Sequence, residues 1–260
     1  MGKISNIGRI FYGIAIAEIG LQTIYERDFP YMLLPPNHTV LPGLAILAVI
    51  SGLLFALAGI GIIFEKKTRE ISLLLAGVLL LIFCLYHVPY QFMTGTNYKH
   101  LGDWENAEKE LAFAGGALVI AGCFPGKNEN SLFRVLGKLV PFGAILFSIT
   151  IVSFGILHFM VAKEAATLVP SWIPYHLFWI YFAGVALIGA GVTIILKIMP
   201  RLTATLLGIM IFLWFILLHI PRVVASPAAD LGGEVTSAIL ALAYSGIAFV
   251  IAGSFKAKDA

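Results

Sequence analysis

The sequence predicts an all-α integral membrane protein of eight transmembrane helices, arranged as two parallel four-helix repeats. Composition is the first observation behind this prediction. Of the 260 residues, 60% are hydrophobic and 12% are charged, whereas soluble domains carry about 25% charged residues. The chain has too little polar surface to cover a water-soluble globule, so a lipid bilayer is its expected solvent.

An internal repeat is the second observation. The pattern F-x-L-x-H-x-P occurs at 83–89 and again, 132 residues later, at 215–221. The same offset relates residues of the preceding span and loop: Gly52 and Gly184, Ala58 and Ala190, Gly59 and Gly191, and Arg69 and Arg201. Near the end of each copy the offset becomes 131, and the pattern of small residues at 112–124 reappears at 243–255. Similarity at a nearly fixed offset over several spans predicts a tandem duplication.

Eight stretches are suited to form membrane helices, which need about 20 mainly apolar residues. They lie near 7–25, 42–64, 71–93, 108–125, 141–162, 175–198, 202–224 and 236–255. The predicted organisation is a first four-helix repeat over 1–126, a cytoplasmic linker over 127–140 and a second repeat over 141–260. Because each copy has an even number of spans, both copies enter the membrane in the same sense, about a pseudo-two-fold axis along the membrane normal.

Charge orients these helices, because Lys and Arg are retained on the cytoplasmic side of short loops. If the N-terminus is inside, the inner segments hold 12 of the 17 basic residues. Both termini are therefore predicted to be cytoplasmic. The basic residues are scattered over several inner segments and form no single stripe, so the net charge of +3 does not indicate nucleic-acid binding.

Histidines gather toward the outer side in this topology. All six of them fall there: His38, His87, His100, His158, His176 and His219. His87 and His219 are equivalent by duplication, and each precedes a proline by two residues. If both face the pseudo-two-fold axis, their imidazoles could ligate haem iron or a transition metal. The alternative is that each bonds a backbone carbonyl freed by the nearby proline.

Glu18 is the acidic residue placed well inside a predicted span, whereas Glu108 and Glu110 are assigned to the outer edge of theirs. A charge at the bilayer centre costs at least ~2.5–3.5 kcal/mol, so Glu18 is expected to be protonated or paired and to face the bundle. A contact between Glu18 and His158 would pair two groups that handle protons. An alignment of Gly13 with Gly155 argues against that contact, because it places His158 opposite Ile16.

Aromatic residues follow Trp172 at the outer start of the sixth span. Trp and Tyr at this depth are typical of a belt that anchors a protein at the membrane interface. Beside His176 they could instead form a pocket for a quinone or another flat ring. The sequence contains no Ser-His-Asp set, H-E-x-x-H, P-loop or dinucleotide fingerprint, so no motif supports an enzymatic assignment.

The second half has a pattern of its own in its first two spans and their connection. It reads Gly155-x-x-His158-Phe159, then Val169-Pro170-x-Trp172-x-Pro174, then Ala183-Gly184 and Arg201. With this pattern the chain resembles the DoxX-like family of bacterial membrane proteins, and the first half looks like a diverged copy with extra residues between its first two spans. The resemblance implies four-helix units in a bacterial inner membrane. The family is named for a membrane subunit of a thiosulfate:quinone oxidoreductase, and other members are associated with redox or oxidative-stress systems.

The expected function is therefore that of a membrane component of a redox system that works with a redox partner protein. The sequence leaves the cofactor open, with quinone as the first candidate and haem b as the second. The residues expected to form the cofactor site are His87, His219, His158, His176, Glu18 and Trp172. Two other classes stay open: a carrier for a small molecule or lipid, suggested by the repeats and by Glu18, and a structural membrane partner without an active site.

Overall fold

The structure, a computed structural model, describes residues 2–35, 43–94, 99–126, 130–227 and 230–255. Over these residues the chain is helical and contains no strand. The long helices are α1 (Lys3–Glu26), α2 (Leu44–Ile63), α3 (Thr68–Met93), α4 (Glu105–Gly122), α5 (Gly143–Met160), α6 (His176–Ile195), α7 (Pro200–Ala225) and α8 (Leu231–Ser254). Short helical segments adjoin them at Leu101–Trp104, Ser131–Gly137, Val140–Phe142 and Ala162–Ala166.

Within the described residues, seven helices are long and apolar enough to cross a membrane, and they correspond to seven of the predicted spans. The chain is therefore a multi-pass, all-helical membrane protein. The exception is α4, the counterpart of the predicted span 108–125, because four charged residues lie among its first six: Glu105, Glu108, Lys109 and Glu110. Much of the segment predicted as a linker is helical, since Ser131–Gly137 leads into α5. Residues 127–129 of that segment lie outside the described residues.

Four helices form the centre of the bundle. α1 packs on α2 and α8, and α4 packs on α3, α5 and α8. α6 packs on α5, and α7 packs on α8, so α2, α3, α6 and α7 flank the centre. The most apolar stretch of α8 is 78% buried inside the protein, compared with 22% for α7. α8 is thus a core helix, whereas most of the surface of α7 is available to lipid.

Glycines allow the central helices to approach each other closely. A Cβ atom added to Gly246 of α8 would lie 2.6 Å from the carbonyl oxygen of Gly8 on α1. A Cβ atom on Gly115 of α4 would lie 2.7 Å from the carbonyl oxygen of Gly143 on α5. Both distances are shorter than any real Cβ contact, so small-residue packing of the kind found between membrane helices sets these two interfaces.

The helices α3 and α7 each contain a π-helical turn at the repeated pattern, over Phe83–His87 and Phe215–His219. In each case the bond runs five residues, from the N–H of Val88 or Ile220 to the carbonyl of the first residue of the turn. A proline inside a regular α-helix would clash with the carbonyl four residues earlier and leave it unbonded. Here each proline lies in the first turn of α-helix after the π turn, where no N–H is required. The wider turn therefore accommodates the prolines without ending the helix.

Replacing these prolines is expected to have little effect. Pro89→Ala and Pro221→Ala should each change the free energy of unfolding by less than about 1 kcal/mol, because the π turn already accommodates the missing N–H donor. Thermal unfolding of the detergent-solubilised protein measures this. A loss of about 3 kcal/mol, the size of a disrupted helix interior, would instead mean that the prolines themselves maintain the π turns.

Candidate functional site

A cavity of about 370 Å³ lies between α1, α4 and α8. It is at the end of the bundle where α1 stops at Glu26 and where α4 and α8 begin, which we call the distal end. Most of the side chains around it are polar, and those that the structure places on the three helices are Gln22, Glu26, Asn106, Lys109, Thr236 and Ser237. The segment 28–32, which follows α1, forms the remaining wall. A volume of this size is within the range of small-molecule sites.

Gln22 holds together the wall that α1 and α8 share. Its side-chain nitrogen donates to Glu26 Oε1 at 2.9 Å and to the carbonyl of Gly232 at 3.1 Å. Its amide oxygen accepts from Thr236 Oγ1 at 2.8 Å. A Cβ atom at Gly232 would lie 2.7 Å from Glu26 Oε1, so a larger residue there would displace the Glu26 carboxylate. The polar groups on this wall are thus held in place before any ligand binds.

The segment after α1 is part of the protein core as well as a wall of the cavity. Met32 and Leu33 are each only 2% exposed. A short turn supports them, since the N–H of Leu33 donates to the carbonyl of Pro30 at 2.8 Å. This segment begins the extra stretch that the sequence places between the first two spans, and residues 36–42 of that stretch lie outside the described residues.

His87 and Glu110 form a buried polar pair next to this segment. Their side chains are 1% and 0% exposed. The Nε2–H of His87 donates to the carbonyl of Met32 at 3.2 Å, and Glu110 Oε2 lies 3.2 Å from the same nitrogen. His87 Nδ1 and both carboxyl oxygens of Glu110 have no hydrogen-bond partner among the described residues, so the approach of Glu110 Oε2 to His87 is a close contact rather than a hydrogen bond. The pair has no net charge either as imidazole with carboxylic acid or as imidazolium with carboxylate, so it can hold a proton at low electrostatic cost.

Glu110 was not expected to take part in the site. The sequence prediction placed it on the outer side together with the other acidic residues there. The structure buries it because α4 lies between α3, α5 and α8. One signal was available: Asn106, which lines the cavity, precedes Glu110 by four residues, so both lie on one helix face.

His219, the repeat counterpart of His87, is in a different environment. Its Nδ1 is buried without a hydrogen-bond partner, and a 2.5 Å ion pair between Arg222 and Glu234 joins the same two helices, α7 and α8. The two histidines do not face each other, because α3 packs on α4 whereas α7 packs on α8. The structure therefore does not form the shared haem site considered from the sequence. Nor do the described residues contain a group of three or more His, Cys, Asp or Glu side chains placed to hold a metal ion.

His158 lies within the second half. Its ring stacks on Trp214 with the centroids 6.1 Å apart, and its Nδ1 donates to the carbonyl of Phe154 at 2.7 Å. It does not pair with Glu18, since α1 and α5 are not packed on each other. Glu18 is half-buried, and its Oε2 atom is enclosed without a hydrogen-bond partner.

Trp172 and His176 lie at the aromatic start of α6. Trp172 is 66% exposed. The nearby Trp179 donates its indole N–H to the carbonyl of Pro174 at 3.1 Å, and its ring meets Phe178 edge-on at 5.3 Å. Exposed rings with polar edges satisfied locally are those of an interfacial belt. The six residues expected to form one site are thus distributed over several places, and only His87 borders the segment that walls the cavity.

The distal cavity and the His87–Glu110 pair together combine a small-molecule volume with a group able to hold a proton. The amide of Asn106 and the ammonium of Lys109 at the cavity can donate to a ligand's oxygen atoms. Glu110 lies one helical turn deeper than Asn106, so the two features are adjacent along α4. The chain matches no protein-family model, no curated protein and no solved structure.

Proposed function

We propose that the chain is a DoxX-like protein of eight spans, built from two parallel four-helix repeats, with both termini cytoplasmic in a bacterial inner membrane. The loops before α3 and before α7 support the duplication. Each loop has two residues with left-handed backbone: Glu65 and Lys67 before α3, and Lys197 and Met199 before α7. The equivalent residues of the two loops are 132 positions apart. Their backbone bonds also correspond, because Lys66 N–H donates to Gly61 and Ile198 N–H donates to Thr193, both at 2.9 Å.

The central helices support the same proposal. The rings of Tyr12 on α1 and Phe113 on α4 are 5.7 Å apart, and those of Phe147 on α5 and Tyr244 on α8 are 5.8 Å apart. The tyrosine and the phenylalanine exchange positions between the two ring pairs. The ring positions correspond if each residue of α1 is matched to the residue of α5 that lies 135 positions later. The contacts of Gly8 with Gly246 and of Gly143 with Gly115 require the same offset. In this scheme α4 is the counterpart of the apolar helix α8, which makes it the eighth span.

The offset of 135 replaces the alignment of Gly13 with Gly155 used above. It relates His158 to Thr23 rather than to Ile16. The two side chains make the same bond, since each donates at 2.7 Å to the carbonyl four residues earlier. In this orientation the distal end is the outer side of the membrane.

Within this architecture we propose a membrane component of a redox system whose outer cavity binds the headgroup of a quinone. The observation that carries the proposal is the polar cavity of about 370 Å³ above the buried His87–Glu110 pair. A quinone presents two carbonyl oxygens and takes up two electrons and two protons when it is reduced. Donors such as the Asn106 amide and the Lys109 ammonium would bind the carbonyl oxygens, His87 and Glu110 would supply or accept protons, and a redox partner protein would exchange the electrons.

Quinone binding is tested with the purified protein in nanodiscs. Solvent extraction is expected to release a co-purified quinone, and a short-chain quinone should bind measurably by titration calorimetry. Thr236→Val should weaken binding about 5- to 10-fold, because it removes the hydrogen bond, worth about 1 kcal/mol, that holds the Gln22 amide in place in the cavity wall. Thr205→Val is the matched control, since Thr205 is exposed on α7 and bonds only its own helix at Arg201. Protein that contains no quinone and does not bind the analogue would exclude this ligand.

A proton-coupled carrier is the second candidate. Glu18 and Glu110 each have a buried carboxyl oxygen that lacks a hydrogen-bond partner among the described residues. Such carboxyls commonly carry coupled protons in transporters. Uptake into proteoliposomes driven by a pH gradient, and abolished by Glu110→Gln, would favour this function over the quinone site.

A further inference from the structure

A second polar cluster lies between α4, α5 and α8, on a different face of α4 from the cavity. Ser153 Oγ donates to Glu108 Oε1 at 2.6 Å, and Thr150 Oγ1 donates to the backbone carbonyl of Glu108 at 2.9 Å. Ser153 and Thr150 are buried on one face of α5, with exposures of 6% and 0%. Both hydroxyls use their hydrogens on Glu108, so the lone pairs of their oxygens stay available.

Tyr244 of α8 completes this cluster. Its ring lies between Phe113 of α4, at 6.1 Å, and Phe147 and Phe154 of α5, at 5.8 and 5.9 Å. The residue is 5% exposed, and the two phenylalanines that it contacts on α5 lie on either side of Thr150 and Ser153 in the sequence. A phenol so enclosed would ordinarily bond a neighbour, yet the hydroxyl of Tyr244 has no partner among the described residues.

The first half shows what an ordinary arrangement looks like. Tyr12, in the corresponding ring pair, donates its hydroxyl to the carbonyl of Phe113 at 2.7 Å. The hydroxyl of Tyr244 and Glu108 Oε2, by contrast, are both buried and unpartnered in the part of the chain that the structure describes. Two unsatisfied oxygens in one cluster cost free energy unless something else binds them.

The charge of Glu108 also lacks a partner. The neighbouring cation, Lys109, is 2.6 Å from Glu105 on its own helix and makes its other contact with Asn106. Glu108 itself is only half-buried, so an ion can reach it from the distal end. A carboxylate in this position needs a positive charge to balance it.

We propose that Glu108, Thr150, Ser153 and Tyr244 form a binding site for a sodium ion. Carboxylate and hydroxyl oxygens are the ligands that hard cations prefer. The single carboxylate matches one positive charge, whereas sites for divalent cations commonly combine several carboxylates. The carbonyl of Glu108 and water entering from the distal end would supply further oxygen ligands. This site does not depend on the identity of the ligand in the outer cavity.

Thermal unfolding in detergent tests the proposal. Saturating sodium chloride should raise the melting temperature of the wild-type protein by at least about 3 °C over choline chloride at equal ionic strength. Glu108→Gln should abolish the sodium effect, and its melting temperature without sodium should equal or exceed that of the wild type, because the unbalanced charge is gone. Tyr244→Phe and Ser153→Ala should each raise the sodium concentration for half-maximal effect at least about 10-fold.

Tyr12→Phe is the matched control. It removes the tyrosine hydroxyl of the corresponding ring pair in the other half, so it should lower the melting temperature while the sodium dependence stays at the wild-type value. An equal response to choline, or a sodium response that survives in Glu108→Gln, would overturn the proposal. A wild-type protein insensitive to sodium would also overturn it. If its melting temperature then depended on pH, and Glu108→Gln removed that dependence, a proton would occupy the site instead.

Discussion

Gly59→Ala is expected to produce little correctly folded protein. A Cβ atom on Gly59 would lie 2.5 Å from the backbone nitrogen of Ala17 and would also overlap the carbonyl oxygen of Gly13. Both neighbours are backbone atoms of α1, so no side chain can move aside. α1 and α2 would have to separate along much of their shared interface. We expect a loss of about 3 kcal/mol, the upper part of the range for overpacking.

Two glycines of α6 serve as comparisons with Gly59 of α2 and make this a graded test. Gly191 is the repeat counterpart of Gly59, and a Cβ atom there would lie 2.6 Å from a side-chain methyl of Val152 and 2.8 Å from the carbonyl of Ser148. The methyl group can turn away in part, so Gly191→Ala should cost less than Gly59→Ala. Gly189, also on α6, has nothing within 4 Å of an added Cβ atom. Gly189→Ala should therefore leave stability unchanged or slightly improved.

The yield of monodisperse protein in size-exclusion chromatography and the melting temperature measure this series. Equal losses in all three variants would show that backbone flexibility, which every glycine provides, matters more than close helix contact. Intact Gly59→Ala protein would show that α1 and α2 are farther apart than the structure places them.

Hydropathy was sufficient to locate the helices. The predicted spans lie within five residues of the observed helix ends, because length and apolar content are local properties of the chain. The rotation of each helix about its axis was not predictable in this way. The haem hypothesis needed His87 and His219 to face one axis, whereas each lies at the end of a π turn on a flanking helix. A π turn changes the direction of every later side chain, and apolar content does not reveal it.

The segment at Met32 escaped prediction for a different reason. It belongs to an insertion without a counterpart in the second half, so the repeat carried no information about it. Its apolar residues are too few for a span, yet Met32 and Leu33 are buried. The burial of Glu110 follows from tertiary contacts with α3, α5 and α8, which outweigh the polar appearance of the start of α4.

His87→Ala is the second prediction with a large expected effect. The substitution leaves the carbonyl of Met32 and the carboxyl of Glu110 buried without their neighbour. Leaving a buried carbonyl without its donor costs about 1–3 kcal/mol, and the cavity left by the imidazole adds to this loss. His219→Ala is the matched comparison, since that histidine has the same position in the repeat and also an unpartnered Nδ1 atom, but it is only half-buried. It should cost less.

A double-mutant cycle separates the pair from simple loss of packing. Glu110→Ala alone should also be strongly destabilising, while the double variant His87→Ala with Glu110→Ala should be more stable than the sum of the two single effects predicts. The expected coupling is about 1–3 kcal/mol, as for residues in direct contact. Strictly additive losses would show that the 3.2 Å approach of His87 Nε2 and Glu110 Oε2 contributes nothing. In that case the proton-holding pair beneath the cavity, and with it the proton supply proposed for the quinone, would have to be abandoned.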